Sequence, residues 1–164
     1  MIRPARPADH AGILALYRDV AAIPGGIART PDEVTDGYIA GFMHRAAEHG
    51  LEFVYEEGGR ILGEIHASNP GIACFAHLLT DLTVAVAPSA QGGGIGRKLF
   101  QALLGEVLER RPQISRVELF ARASNARARS LYASVGFVEE GRLRARIATG
   151  GLLEEDTIMA WLRP

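Results

Sequence analysis

Apolar residues follow a helical spacing early in the chain and a strand-like spacing after residue 50. Up to that point they recur every three or four positions in two stretches, which predicts two helices. We expect the first helix to begin with Asp9 as its N-cap, and the second to begin with Thr30 as its cap and Pro31 at its first position. A short first strand within residues 1–6 is expected before them.

Shorter apolar runs, bounded by turn residues, predict the strands of a sheet. The expected strands are 51–55 and 60–66 as a hairpin, 75–86 as a third antiparallel strand, 117–121, 142–147 and 156–161. A helix that ends at Pro112 connects residues 82–86 to the strand at 117–121, which predicts one parallel crossover. The predicted fold class is therefore α+β, with a mixed, mainly antiparallel central sheet flanked by helices, in one domain over residues 1–164.

Composition and charge exclude several classes of function. With 164 residues, of which 48% are hydrophobic, the chain is long enough for one domain with a sizeable core. A formal net charge of −1 gives no sign of bulk binding to nucleic acid or to an anionic membrane. The single cysteine, Cys74, excludes an internal disulfide and a zinc framework, so no metal is expected. No apolar run reaches membrane-spanning length and the N-terminus lacks a signal core, so we expect a soluble, cytoplasmic protein.

A glycine-rich turn after residues 82–86 has the properties of an anion-binding site. It runs from Gln91 to Lys98 and leads directly into a helix. The first N–H groups of a helix have no helical partner, and glycines let an anion approach the backbone. Leu99 excludes a P-loop, and Arg97 breaks the glycine spacing of a dinucleotide-binding fingerprint. A phosphate-bearing ligand is the favoured interpretation, against a glycine-rich turn that binds nothing.

A second motif, from Asn125 to Phe137, predicts a short capped helix. Ser124 or Asn125 is expected to cap it, and Gly136 to end it in the left-handed backbone conformation. Tyr132 lies seven residues after Asn125, so both side chains project from nearly the same side of the helix. By itself this pattern also fits a Tyr132 that only packs in the core.

Together the two motifs resemble the signatures of the GCN5-related N-acetyltransferase (GNAT) superfamily. The run Gln91-Gly92-Gly93-Gly94-Ile95-Gly96 is similar to its pyrophosphate loop, and residues 125–137 match every position of its second signature. The resemblance implies a GNAT-like fold, acetyl-CoA as cofactor, and transfer of the acetyl group to a primary amine by direct attack in a ternary complex. A small-molecule acceptor is expected; the alternatives are a protein or peptide amine, or a non-catalytic acyl-CoA-binding module. A homodimer is a candidate assembly, because dimers are common in the family.

The resemblance also assigns roles to individual residues. The N–H groups of residues 92–97, with charge from Arg97 or Lys98, would bind the cofactor pyrophosphate, and the strand edge at residues 84–86 would bind the pantetheine arm. Tyr132 would act as the general acid that protonates the thiolate leaving group. The implied cofactor-binding residues are Val84, Ala85, Val86, Gln91, Gly92, Gly93, Gly94, Ile95, Gly96, Arg97, Asn125 and Tyr132.

A base is also needed, because an amine is mostly protonated at neutral pH. Asp81 lies seven residues before Pro88, where many family members place a catalytic glutamate, and its shorter side chain favours a water relay. His66 and His77 are the rival bases, and Glu64, His66 and His77 are the expected contacts to the acceptor. The two helices before residue 50, with their loop, are implied to border the acceptor site.

Three arginines near the end of the chain alternate with apolar residues. Arg142, Arg144 and Arg146 predict a strand with one basic face, which would recognise an acidic acceptor or the ribose phosphate of the cofactor. The favoured interpretation is instead an exposed face balanced by nearby acids, namely Glu139, Glu140, Glu154 and Glu155. Trp161, in the last strand, is expected to pack in the core.

Overall fold

One sheet takes strands from almost the whole length of the chain. The computed structural model describes residues 1–164. Its strands are β1 (Ile2–Pro4), β2 (Gly50–Glu57), β3 (Arg60–Ser68), β4 (Leu78–Val86), β5 (Arg116–Arg122), β6 (Val138–Thr149) and β7 (Leu152–Leu162), and its helices are α1 (His10–Ala21), α2 (Asp36–His49), α3 (Ile95–Arg110) and α4 (Ala126–Ser134). The seven strands lie in the order β1-β2-β3-β4-β5-β7-β6, and every neighbouring pair is antiparallel except β4 and β5. The predicted α+β class with a mixed, mainly antiparallel sheet is therefore confirmed.

The helices cover opposite faces of this sheet. α1 and α2 pack on one face, in a core that includes Ala85 of β4. α3 packs on the other face, in a larger core that includes Phe100 and Trp161, so the packing role expected for this tryptophan is confirmed. Alternate residues of a strand face opposite sides, so Val84 and Val86 contact this second core while Ala85 faces the first. None of the helices combines the length and the hydrophobicity that are needed to cross a bilayer.

The two parallel strands diverge soon after they begin. β4 and β5 pair at only two positions, Leu78 with Arg116 and Leu79 with Val117. Beyond these pairs the edge of β4 that faces β5 has no strand partner, so its backbone groups are free to pair with a ligand. A bulge in β4 against β3, with a φ of 52° at Asp81, lies where the divergence begins. Bulges bend a strand and increase its twist, which fits the opening of the sheet at this point.

The predicted start of the first helix is confirmed in position, since Asp9 directly precedes α1, but the side chain of Asp9 does not cap the helix. The carboxylate instead accepts the N–H of Arg6 at 2.8 Å and forms an ion pair with Arg3 at 2.7 Å. The carboxylate therefore binds residues three and six positions before it and not the first N–H groups of α1.

Two other boundaries differ from their predictions. Thr30 and Pro31 start only a short 3₁₀ turn, and α2 begins at Asp36, where the Thr35 hydroxyl accepts the N–H of Tyr38 at 3.1 Å. β4 begins at Leu78, because the expected start of the strand is occupied by another 3₁₀ turn, Ala73–Phe75. Both 3₁₀ turns lie in connections between elements, where short-range signals do not separate a turn from the start of a helix or strand.

Candidate active site

A cavity of the protein lies where β4 and β5 diverge. It has a volume of about 540 Å³ and is lined by the end of β4, the glycine-rich turn, the start of α3, α4, and the loop after α1. The contribution of this loop is Ile23 to Gly26, together with Val20 of α1. Both sequence motifs and the loop expected to border the acceptor site therefore meet at one cavity.

The glycine-rich turn presents a row of unpaired backbone donors. Gly92 and Gly94 have φ of 86° and 77°, a left-handed conformation that other residues rarely adopt, and α3 begins directly afterwards. The N–H of Lys98, at 3.1 Å from the carbonyl of Gly94, is the first that donates to the backbone, and the N–H groups of residues 92–97 have no partner within the protein. Unpaired donors at the positive end of a helix dipole form an anion site, so the turn can hold a phosphate or diphosphate.

Two arginines add positive charge to this part of the cavity. Arg97 lines it and donates to the Ser134 hydroxyl at 2.9 Å. Arg127 also lines it and donates to the side chain of Gln91 at 3.0 Å, and that glutamine in turn donates to the Val86 carbonyl at 3.2 Å. Sequence reasoning missed Arg127, although its position two residues after the Asn125 cap placed it in the first turn of α4.

Lys98, the alternative to Arg97 as a source of positive charge for the pyrophosphate, does not reach the cavity. Its ammonium lies 6.0 Å from the centre of the Tyr55 ring, on β2, and the residue does not line the cavity. Consecutive residues of a helix point about 100° apart, so Arg97 and Lys98 cannot face the same ligand.

The other predicted cofactor contacts divide by strand parity. Val84 and Val86 line the cavity, whereas the side chain of Ala85 is 1% exposed and packs against α1 and α2. Its backbone is also paired with Glu64 of β3, so Ala85 offers the cavity neither a side chain nor a free strand edge. Gly93 is the one residue of the predicted pyrophosphate loop that does not line the cavity.

Tyr132 and Asn125 reach the cavity from α4, as the sequence predicted. Tyr132 packs its ring against Phe100, with centroids 5.3 Å apart, and burial raises the pKa of its hydroxyl to about 12. The hydroxyl makes no hydrogen bond within the protein and is not sealed from solvent, so it can donate to a ligand. Asn125 caps α4 by accepting the N–H of Ala128 at 3.0 Å, which leaves its amide NH₂ free, and Gly136 ends this segment with a φ of 99°.

The predicted base and acceptor contacts are not brought to this cavity. Asp81 is exposed at the bulge of β4, and His77 is exposed in the turn before the same strand. Glu64 and His66 are buried, at 0% and 5% exposure, on the face of the sheet that carries α1 and α2. None of the four lines the cavity, so any role in proton transfer or acceptor binding has to operate from outside its walls.

Glu64 and His66 belong to a buried polar cluster, which we define as Tyr17, Glu52, Glu64 and His66. Tyr17, from α1, donates its hydroxyl to Glu64 at 2.5 Å, and the same carboxylate lies 3.0 Å from Nδ1 of His66. Burial, together with the neighbouring carboxylate of Glu64, raises the pKa of Glu52 to about 8. Phe42 of α2 stacks on the imidazole with ring centroids 4.0 Å apart. A group of side chains from α1, β2 and β3 is thus held together in the absence of any lysine or arginine partner.

Of the three arginines of β6, only Arg142 pairs with the acids that the favoured interpretation expected, and Arg144 forms no ion pair. Arg142 lies 2.7 Å from Glu139 and 3.6 Å from Glu155. Arg146 departs from the expectation, because its partner is Asp156 at 3.1 Å, and its guanidinium also covers the Phe120 ring at 4.6 Å. A wide bulge between Leu143 and Ile147 breaks the simple alternation, so the three arginines do not form one regular basic face.

The fold and the central segment are shared with known acetyltransferases. The family described as acetyltransferase (GNAT) domain matches residues 48–139, which include the glycine-rich turn and α4. The ribosomal-protein-alanine N-acetyltransferase of Brucella melitensis is 26% identical, with a TM-score of 0.81 over 99% of both chains. The ribosomal-protein-S18-alanine N-acetyltransferase of Escherichia coli is also 26% identical, with a TM-score of 0.77 over 99% of this chain and 92% of that one. An N-acetyltransferase of Staphylococcus aureus Mu50 is 25% identical, with a TM-score of 0.80 over 99% and 97% of the two chains.

Proposed function

The chain belongs to the GNAT family of acetyltransferases, and we propose that it transfers the acetyl group of acetyl-CoA to the primary amine of a small molecule by direct attack in a ternary complex. The cofactor of the family is acetyl-CoA, which supplies an activated thioester. The observation that carries the proposal is one continuous cavity, with unpaired anion donors at one end and a free tyrosine hydroxyl on its wall.

The cavity fits the chemical parts of such a cofactor. In this proposal the diphosphate is held by the N–H groups of residues 92–97 and by Arg97 and Arg127, since these donors are unpaired or lie in the cavity wall. The amide groups of the pantetheine arm pair with the free edge of β4 at Val84 and Val86, as a strand edge pairs with an extended chain. The amide of Asn125 binds the same arm from the opposite wall.

Two groups of the protein then act on the transferring acetyl group. A backbone N–H near Val86 stabilises the negative charge that develops on the carbonyl oxygen. Tyr132 donates its hydroxyl proton to the leaving thiolate. Because burial raises the pKa of Tyr132 to about 12, its proton is retained across the whole physiological range until the thiolate forms.

The acceptor is proposed to be a small amine. Val20 and the loop Ile23–Gly26 lie in the wall of the cavity, and an extended peptide would need an open groove at that position. The rival candidate is an N-terminal protein amine, which is favoured by the similarity to two ribosomal-protein-alanine acetyltransferases at 26% identity.

Two measurements test the proposed function. Calorimetry should record heat when coenzyme A is titrated into the protein. Detection of free thiol should then report turnover with a panel of polyamines, amino acids and an alanine-initial hexapeptide. Turnover with the peptide alone would replace the small-molecule acceptor by a protein amine, and binding without turnover by any amine would reduce the protein to an acyl-CoA-binding module. The absence of binding heat would refute the whole proposal.

A further inference from the structure

The imidazole of His66 is held in one orientation by its neighbours. Its Nδ1 lies 3.0 Å from Oε1 of Glu64 and 3.4 Å from the Tyr17 hydroxyl. A carboxylate only accepts hydrogen bonds, so Nδ1 carries the hydrogen and donates it to Glu64. The ring is also fixed by Phe42, which stacks on it nearly in parallel, at an interplanar angle of 10°. His66 therefore presents Nε2 as an unprotonated nitrogen with a free lone pair.

That second nitrogen is free to accept a proton. Nε2 has no hydrogen-bond partner in the protein, yet it is not among the polar atoms that are sealed from solvent without a partner. The Glu64 carboxylate, in contrast, accepts from Tyr17 and from His66, and it is completely buried. A carboxylate that orients an imidazole, while the opposite nitrogen stays accessible, is the arrangement of a general base.

The register of the sheet places this nitrogen next to β4. His66 is paired with Thr83, and directly opposite residues of an antiparallel pair point to the same face with their Cβ atoms about 5 Å apart. Thr83 is half-buried, and its hydroxyl makes no hydrogen bond within the protein. Thr83 is followed by Val84, which lines the cavity at the free edge of the same strand. Thr83 is thus the polar side chain of β4 that lies opposite the imidazole, and it is one residue from the part of the strand that lines the cavity.

We propose that His66, oriented by Glu64 and Tyr17, is the terminal base of a proton relay that takes a proton from the acceptor ammonium through the Thr83 hydroxyl. This inference rests on the proposed function and identifies its missing base. Nε2 of His66 accepts a proton from Thr83, which in the same step recovers one from the ammonium. The amine lone pair forms the C–N bond, the C–S bond breaks with its electrons on sulfur, and Tyr132 protonates the thiolate. Tyr132 recovers the second amine proton, and the proton on His66 leaves to solvent.

The pH dependence of the proposed relay involves every titratable group that faces His66. The groups that face His66 are Tyr17 from α1, Glu52 from β2 and Glu64 from β3, while α2 contributes Phe42 and β4 contributes Thr83, which do not titrate. Burial raises the pKa of Tyr17 well above its ordinary value and that of Glu52 to about 8. Tyr17 and Glu52 therefore stay protonated and uncharged below pH 7.

The first test compares pH profiles of kcat/KM for the wild type and for His66→Gln, with spermidine or whichever member of the panel releases coenzyme A. We expect the wild-type profile to level off near neutral pH. The variant should instead rise about tenfold per pH unit up to pH 9, because it can use only amine that is already unprotonated. At pH 7 this corresponds to a loss of about 100-fold. His44→Gln, an exposed histidine of α2, is the matched control and should keep the wild-type profile.

The second test examines the relay itself. Thr83→Val keeps the shape of the side chain but removes the hydroxyl, and it should reproduce the profile of His66→Gln, while Thr83→Ser should restore the wild-type plateau. Thr83→Val with an unchanged plateau would overturn the relay. Asp81→Asn is the competing variant: if it abolishes the plateau while His66→Gln keeps it, the base is Asp81 and the proposal is wrong.

A third measurement does not depend on activity. In ¹⁵N-labelled protein at pH 7.5, long-range spectra of His66 should show the tautomer with hydrogen on Nδ1, the less common form of a free imidazole, and Glu64→Gln should reduce its population. Detection of the Nε2–H tautomer in the wild type would overturn the proposal. Coenzyme A binding by His66→Gln should equal that of the wild type, since the residue lies outside the cavity. If the wild type itself does not bind coenzyme A, the proposed function is refuted, but the orientation of His66 is not.

Discussion

The two faces of the sheet use polar groups in opposite ways. On the face that carries α3 and α4, the N–H groups of residues 92–97 and the hydroxyl of Tyr132 have no partner and border a cavity. On the face that carries α1 and α2, the polar groups of Tyr17, Glu64 and His66 are buried and bind one another. Unpaired groups at a cavity are available to a ligand, whereas paired buried groups fix one another in place. We therefore assign cofactor binding to the first face and proton handling to the second.

Removing the free hydroxyl of the first face should have the largest effect. Tyr132→Phe keeps the packing against Phe100 but leaves no proton for the thiolate, so turnover should fall at least about 100-fold. Affinity for coenzyme A, measured by calorimetry, should change little, because the ring stays in place. Tyr55→Phe, whose hydroxyl contacts only Glu57 at 3.3 Å, is the control. An unchanged rate in Tyr132→Phe would remove this residue as the acid.

The anion site can be tested at the glycine that starts α3. Gly94 adopts a φ of 77°, which a β-branched residue can hold only under strain, and an added side chain would also point into open space at the cavity. Gly94→Val should therefore weaken coenzyme A binding by about 30-fold, or about 2 kcal/mol. Gly105→Ala, in the same helix with a Cβ that meets nothing, should bind normally. If Gly94→Val and the wild type bind coenzyme A equally well, the glycine-rich turn is not the anion site, and the proposed difference between the two faces is wrong.

The sequence predicted the first face far better than the second, and the reason is the range of the interactions. The glycine-rich turn, the Asn125 cap and Tyr132 each depend on residues within about one helical turn, and all three lie where the motifs placed them. The side chain of Ala85 does not reach the cavity, because strand parity turns it to the opposite face. Asp81 lies at the bulge, where the alternation along β4 is shifted, so strand parity does not predict which way its side chain faces.

The second face depends on contacts between distant parts of the chain. Tyr17 and Glu64 are 47 residues apart, and no local pattern connects them. Glu64 and His66 share one side of β3 because they are two residues apart, but their burial follows from the packing of α1 and α2 over that strand. Only the assembled fold shows that these residues contact one another and not a cavity.

A prediction on stability concerns the carboxyl group of Glu52. Its folded pKa of about 8 lies above the ordinary value of 4.5, so the folded protein holds a proton that the unfolded chain releases. The contribution of this group to stability is therefore full below about pH 4.5 and is lost as pH rises through 8. Glu52→Gln should flatten this dependence and be more stable than the wild type at pH 8 by about 2 kcal/mol, as measured by urea unfolding. Glu48→Gln, exposed on α2, should follow the wild type, and a parallel decline in Glu52→Gln would show that Glu52 is not held protonated.

The smallest expected effect concerns the arginine that the sequence did not indicate. Arg127 lines the cavity and donates to Gln91, which links α4 to the glycine-rich turn, but its guanidinium is exposed and therefore screened. Arg127→Ala should weaken coenzyme A binding about fivefold at low salt and less at 0.5 M salt, whereas Arg110→Ala, at the far end of α3, should have no effect at either. A defect that persists unchanged at high salt would mean that the arginine acts by bracing Gln91. In that case the diphosphate would be held by the backbone donors of the turn, and the two faces would differ in hydrogen-bond pairing and not in charge.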